Sequence, residues 1–191
     1  NLDEVAPFIT SSATAVAIDE NSGAGQVVYT ATADDSADTS DGVTFSLVGT
    51  DAAAFSIDND SGEVTLIADA DYEVQSQFSF TIVATDGAGN SSSKLVSLAI
   101  NNLDEVAPSI TSGDTATAVN ENLGAGQVVY TATATDDADT SDGFSFSLAD
   151  EVLGFSIDAD GVVTTNADFA ANYEDAESQS FTVVATDAAG N

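Results

Sequence analysis

The stretch GAGQVVYTAT at residues 23–32 recurs letter for letter at residues 124–133. Its QVVYTATA portion, residues 26–33, is rich in β-branched and aromatic residues and lacks helical spacing, so it reads as a strand. The same offset of 101 relates NLDEVAP at 1–7 to 102–108, Tyr72-Glu73 to Tyr173-Glu174, and ATD at 84–86 to 185–187. Self-similarity at one fixed offset marks a tandem repeat. The reading is a first domain over 1–101, a second over 102–191, and a junction at 101–108. The second copy runs to Asn191, the counterpart of Asn90, without a match for SSSKLVSLAI at 91–100. That segment reads as the last strand of the first domain. Two accounts of the difference stand: the sequence samples a longer array, or a neighbouring chain supplies the strand by β-augmentation.

Working outward, VTFSLV (43–48), FSIDND (55–60), EVTLIA (63–68), FSFTIVATD (78–86) and KLVSLAI (94–100) are short strand-like runs bounded by Gly, Asp, Asn and Ser. With an opening strand over 8–17, each full repeat holds seven. Seven short strands without a helix predict an all-β, Ig-like Greek-key sandwich, in two tandem copies, the second lacking its last strand.

Charge narrows the partners. The chain carries 33 acidic residues against one basic residue, Lys94, a formal net charge of −32. Nucleic acid is excluded because phosphate contacts need Lys and Arg, and an anionic membrane surface is excluded by repulsion. No apolar run approaches the roughly 20 residues of a membrane span. Without His or Cys, and with its only Lys in a strand, the chain lacks a Ser–His, thiol or lysine mechanism. Paired carboxylates recur at equivalent positions in both copies, as a structural device does and a single active site does not, so no enzyme is expected.

The acidic residues gather at strand ends: Asp19 to Asn21, Ala33 to Asp41, Asp69 to Glu73, Ala84 to Asn90, and the linker Asn101 to Pro108. So many like charges at loop ends are costly unless water or cations separate them. Hard divalent cations suit them, since Ca²⁺ takes about 6–8 oxygen ligands. The turn DNDSG at 58–62 is different: it lies between two strands, shortens to DADG in the second copy, and reads as a hairpin turn.

The order of these motifs is Glu-Asn after the first strand, Asp-x-Asp after the second, Asp-x-Glu, Ala-x-Asp-x-x-Gly, then an Asn-x-Asp-Glu-x-Ala-Pro linker. It resembles the calcium framework of cadherin repeats, in the form found in bacterial RTX-type adhesins. The resemblance implies that Glu20, Asp71 and Glu73 lie at the lower pole of domain one, with Asn102, Asp104 and Glu105 in the linker. It places Asp137, Asp139 and Asp187 at the upper pole of domain two, together enclosing about three Ca²⁺. Asp35, Asp38 and Asp86 would form the upper pole of domain one, and Glu121 and Glu174 the lower pole of domain two. Ser36 stands opposite Asp137, and Asn172 replaces Asp71, so the copies are not identical ligand sets.

The function implied is a Ca²⁺-dependent segment of a secreted or cell-surface adhesion protein, its neighbours being further repeats of the same protein. Homotypic or lateral self-association stays open. Two alternatives remain: a self-assembling fibre or matrix subunit completed by strand exchange, and a calcium-dependent carbohydrate-binding module with a glycan partner.

Overall fold

The computed structural model describes residues 3–37, 42–138, 140, 143–149, 154–169, 172–174 and 177–191. The chain divides into two compact units, Asn1–Leu103 and Asp104–Asn191.

Unit 1 is built from β1 (Phe8–Ile9), β2 (Ile18–Asp19), β3 (Val27–Thr30), β4 (Ala33–Asp34), β5 (Val43–Val48), β6 (Phe55–Ile57), β7 (Glu63–Leu66), β8 (Gln77–Asp86) and β9 (Ser91–Asn101). The alternation in β8 explains its place: Phe80, Ile82 and Ala84 are fully buried, while the residues between them are only partly covered. Side chains two apart share a face, so one face of β8 enters the core. β8 lies in a sheet ordered β2-β9-β8-β5, packed against a second sheet ordered β3-β7-β6, with β1 and β4 paired separately. Val96, Leu98 and Ile100 of β9 enter the same core. Phe80 is edge-on to Tyr29 at 6.0 Å and tilted against Phe55 at 4.7 Å. Burying one such aromatic is worth about 1.5–3 kcal/mol.

The expected single opening strand over 8–17 is broken in two. β1 pairs antiparallel with β4, whereas β2 pairs parallel with the end of β9, and Thr14 bridges to Ser97 between them. The chain changes sheets within this segment. A 3-10 turn at Ala52–Ala54 interrupts the otherwise all-β pattern. The DNDSG stretch is a hairpin turn between β6 and β7, in which Asp58 Oδ1 accepts the Asp60 and Ser61 amides. Gly62 has φ +73°, and an added Cβ would lie 2.4 Å from the Ala31 carbonyl oxygen. Both facts require glycine. Lys94 sits on β9 with Nζ donating to the Ile9 and Ser11 carbonyls at 2.8 and 2.7 Å, so the one cation ties the first strand to the last.

Unit 2 contains β10 (Ser109–Ile110), β11 (Val128–Thr131), β12 (Ala134–Thr135), β13 (Phe144–Leu148), β14 (Phe155–Ile157), β15 (Val162–Thr165) and β16 (Val183–Asp187). They pair as β11-β15-β14, β13-β16 and β10-β12, as β3-β7-β6, β5-β8 and β1-β4 do in unit 1. No strand equivalent to β9 or β2 occurs among the described residues. Three local differences accompany this. β16 has 5 residues where β8 has 10. Phe181 is only half-buried where Phe80 is sealed. A cavity of about 430 Å³ opens beside Val129, Phe155 and Phe181, whose counterparts in unit 1 lie in one core with β9.

Candidate metal sites

Three carboxylate clusters are assembled by these strands: Asp3, Asp35 and Asp86; Glu20, Asp71 and Glu73; and Asp104, Asp136 and Asp187. Within each, one oxygen per residue lies within 4.8 Å of the others.

The first and third clusters are the same construction at an offset of 101. Asp86 ends β8, and its Oδ1 accepts the Asn90 amide at 2.8 Å while its Oδ2 accepts Asn90 Nδ2 at 2.9 Å. Asn90 Nδ2 also reaches the Asp3 carbonyl at 3.2 Å. In unit 2, Asp187 Oδ1 accepts the Gly190 and Asn191 amides at 2.6 and 2.8 Å, and Asn191 Nδ2 reaches the Asp104 carbonyl at 2.8 Å. Each asparagine thus clamps the residue that enters the unit to the aspartate that ends its long strand. Asn90 also opens an Asn-Ser-Ser sequon, and its side-chain amide is already engaged.

Electrostatics at both aspartates favour the ionised form. Burial pushes the Asp86 carboxyl up, but the Asn90 side chain and the Asn90, Gly89 and Ala88 amides outweigh it and hold the group below its ordinary value. Asp187 is likewise raised by burial and lowered further by Asn191, Gly190 and Ala189. Three buried oxygens in these clusters, Asp3 Oδ2, Asp104 Oδ2 and Asp187 Oδ2, have no hydrogen-bond donor. A buried oxygen of an ionised carboxylate without a donor is expensive. Hard cations are the natural complement, and donor sets made only of oxygen suit Ca²⁺ rather than zinc or copper.

The second cluster has another logic. Glu20 is 0% exposed, and its two oxygens accept the Tyr72 amide at 2.6 Å and the Leu103 amide at 2.7 Å. Asn21 follows it with φ +53°, a left-handed conformation that asparagine tolerates. Asp71 and Glu73 are exposed beside it. In unit 2 the corresponding Glu121 is exposed, and the Tyr173 amide approaches its Oε2 only at 3.5 Å. Glu174 is exposed as well, its amide donating to Asn172 Oδ1.

Among the expected ligands, Glu20, Asp71 and Glu73 come together in unit 1, Asp35 joins Asp86, and Asp104 joins Asp187. Asn102 is half-buried in unit 1 and Glu105 is exposed in unit 2. Asp38 and Asp139 lie outside the described residues. Asp137 is exposed, and its neighbour Asp136 takes the place in the third cluster. Asp3 and Asp136 were not expected. The signal for both was present: Asp3 is the copy of Asp104, and Asp136 the copy of Asp35.

Residues 14–101 match the cadherin domain family. The mouse cadherin EGF LAG seven-pass G-type receptor 2 is 30% identical over 187 residues, covering 95% of this chain and 6% of that protein. The chain therefore spans a small fraction of the relative's length. Among solved structures, mouse cadherin-23 EC22-24 aligns with a TM-score of 0.59 at 27% identity, over 97% of this chain and 60% of that one. Human protocadherin-24 EC1-2 aligns with a TM-score of 0.64 at 21% identity, over 95% and 93% of the two chains, a likeness of fold. These animal relatives support the cadherin part of the resemblance and lend nothing to its bacterial-adhesin part. Residues 14–101 carry the likeness to a cadherin domain, and residues 102–191 repeat the sequence motifs of that stretch and most of its strand pairings.

Proposed function

We propose that the chain is a Ca²⁺-dependent segment of an extracellular adhesion protein, in which bound ions hold successive repeats in a stiff array. The supporting observation is the recurrence, at an offset of 101, of one partly buried three-aspartate cluster, in which Asp3 Oδ2, Asp104 Oδ2 and Asp187 Oδ2 lack donors. Asp3, Asp35 and Asp86 would hold Ca²⁺ in unit 1, and Asp104, Asp136 and Asp187 in unit 2. Glu20, Asp71 and Glu73 would form the opposite pole, with Asn102 and Glu105 beside it in the sequence. The ion supplies positive charge that offsets carboxylate repulsion and completes each ligand shell.

The covalent chain itself favours coupling between repeats: Leu103 is hydrogen-bonded to Glu20 of unit 1, and the next residue, Asp104, belongs to the cluster of unit 2. An ion bound at Asp104 would thus act one peptide bond from the Glu20 anchor. Ca²⁺ binding only to the native state raises Tm with concentration. Calorimetry from EGTA to millimolar Ca²⁺ tests the metal, and small-angle scattering under the same conditions tests the stiffening. A Tm indifferent to Ca²⁺ rejects the metal assignment, whereas a rising Tm with unchanged scattering rejects only the stiffening.

A further inference from the structure

Asn90 and Asn191 stand four residues after Asp86 and Asp187, at the end of the matching stretches DGAGN and DAAGN. In each, a glycine with positive φ, Gly89 at +96° and Gly190 at +98°, turns the chain back on itself. The asparagine main chain then bonds the aspartate twice. In unit 1 the Asn90 carbonyl accepts the Asp86 amide at 3.1 Å, and the Asn90 amide donates to Asp86 Oδ1 at 2.8 Å. The same two bonds measure 3.2 and 2.8 Å in unit 2. The side chain is thereby aimed at a different part of the chain. Nδ2 donates to the carbonyl of Asp3 in unit 1 and of Asp104 in unit 2. Those aspartates lie in stretches 3–7 and 104–108, which form no strand, so no sheet ladder sets where their carboxylates fall. Both asparagines are half-buried.

We propose that Asn90 and Asn191 are positioning residues for bound Ca²⁺: each carries the entering aspartate, Asp3 or Asp104, to its cluster without itself touching the ion. This assignment rests on the calcium proposal and adds to it the residues that preassemble two of the sites. Orientation separates the asparagines from the ligands. In unit 1, Nδ2 faces two acceptors, the Asp3 carbonyl and Asp86 Oδ2 at 2.9 Å, and a flipped amide would set oxygen against oxygen. An N–H donor repels a cation, so the group that meets the aspartates cannot hold one. Neutrality matters as well. An acid at this position would add a fourth carboxylate to three and would lack the N–H that reaches the carbonyl. In unit 2 the outcome is visible in the cluster itself. Asp187 is 7% exposed and its Oδ2 is buried without a donor, a condition that Asp104 Oδ2 of the same cluster shares. The second oxygens of both clamped residues are thus left for an ion. Groups behind the ligands that fix their placement typically change metal affinity by about 10–100-fold.

Titration calorimetry of the full chain with Ca²⁺ tests it, alongside hydrogen exchange in EGTA as a readout that needs no metal. Asn90→Ala and Asn191→Ala should each weaken one Ca²⁺ binding step about tenfold or more. The Val5 and Val106 amides, which donate to Asp3 Oδ1 and Asp104 Oδ1, report on the clamped stretches. In EGTA, Val5 should exchange faster in Asn90→Ala and Val106 faster in Asn191→Ala, because the clamp acts without the ion. A double-mutant cycle separates positioning from general support of the fold. Once Asp3→Ala has removed the delivered carboxylate, adding Asn90→Ala should weaken binding by less than about twofold more. Unchanged affinity in both asparagine variants overturns the proposal, as does a further tenfold loss in the Asp3→Ala background. Circular dichroism verifies folding, and Asn191→Ala carries the test in unit 2 if Asn90→Ala does not fold. A native chain that takes up no Ca²⁺ overturns the calcium proposal and this one together, whereas native binding with unaltered variants overturns this one alone.

Discussion

The buried carboxylate of Glu20 and the amide of Leu103, 83 positions apart, meet at 2.7 Å at the partly buried edge of unit 1. This bond fastens the end of β9 to the turn after β2. Replacing Glu20 with Ala strands the Tyr72 and Leu103 amides together, and each buried donor left unsatisfied costs about 1–3 kcal/mol. Glu20→Ala should therefore lower Tm by several degrees in EGTA, as read by calorimetry. Glu121→Ala, at the exposed counterpart, should change Tm by less than about a degree, since surface substitutions stay near ±0.5 kcal/mol.

Asp187→Asn separates metal binding from folding. The asparagine keeps an oxygen for the Gly190 and Asn191 amides while removing one charge from a crowded cluster. In EGTA the Tm should fall slightly, because the Asn191, Gly190 and Ala189 groups favour the charge that is lost. With Ca²⁺ the increase should shrink, and affinity measured by titration calorimetry should fall by about tenfold or more, because site affinity follows ligand charge.

The pH dependence has a definite sign. The Ser79 amide donating to Asp51 holds that carboxyl below its ordinary value, and the Ser61 and Asp60 amides do the same at Asp58. A carboxyl depressed in the folded state contributes stability above its unfolded pKa, about 4, and loses it as pH falls through the lower folded value. The Tm difference between the native sequence and Asp51→Ala should thus be full at pH 7 and close progressively below about pH 4. Parallel melts in EGTA across pH 2–7 measure it.

Gly62→Ala should destabilise unit 1 by about 2 kcal/mol or more, because the backbone is left-handed there and the new methyl would enter the Ala31 carbonyl. Gly161→Ala repeats the experiment in unit 2, where the Cβ would lie 2.8 Å from the Ala132 carbonyl oxygen. Chemical denaturation of each variant gives the difference directly.

Much of this architecture was legible in the residues. Period-two runs such as VTFSLV and FSFTIVATD announce β5 and β8 because one face of each is buried, and burial is what alternation records. The opening segment misled because alternation says nothing about partners: β1 and β2 belong to different sheets, and the change occurs within a run that looks continuous. At the clusters, the Asp-x-Asp pattern drew attention to Asp137 and Asp139, but burial selects Asp136, which directly follows β12. Asp3 was overlooked because its partners lie 32 and 83 positions away, on strands that converge only after folding.

The lone lysine has one more consequence. Trypsin cuts after Lys and Arg, so Lys94 is the only bond in the chain it can attack, and that bond lies within β9, paired along β8 and tethered to Ile9 and Ser11. Cleavage must wait for the strand to open. A single band shift on a gel, timed against protease concentration, would therefore act as a clock for the opening of unit 1 alone, with unit 2 silent by composition.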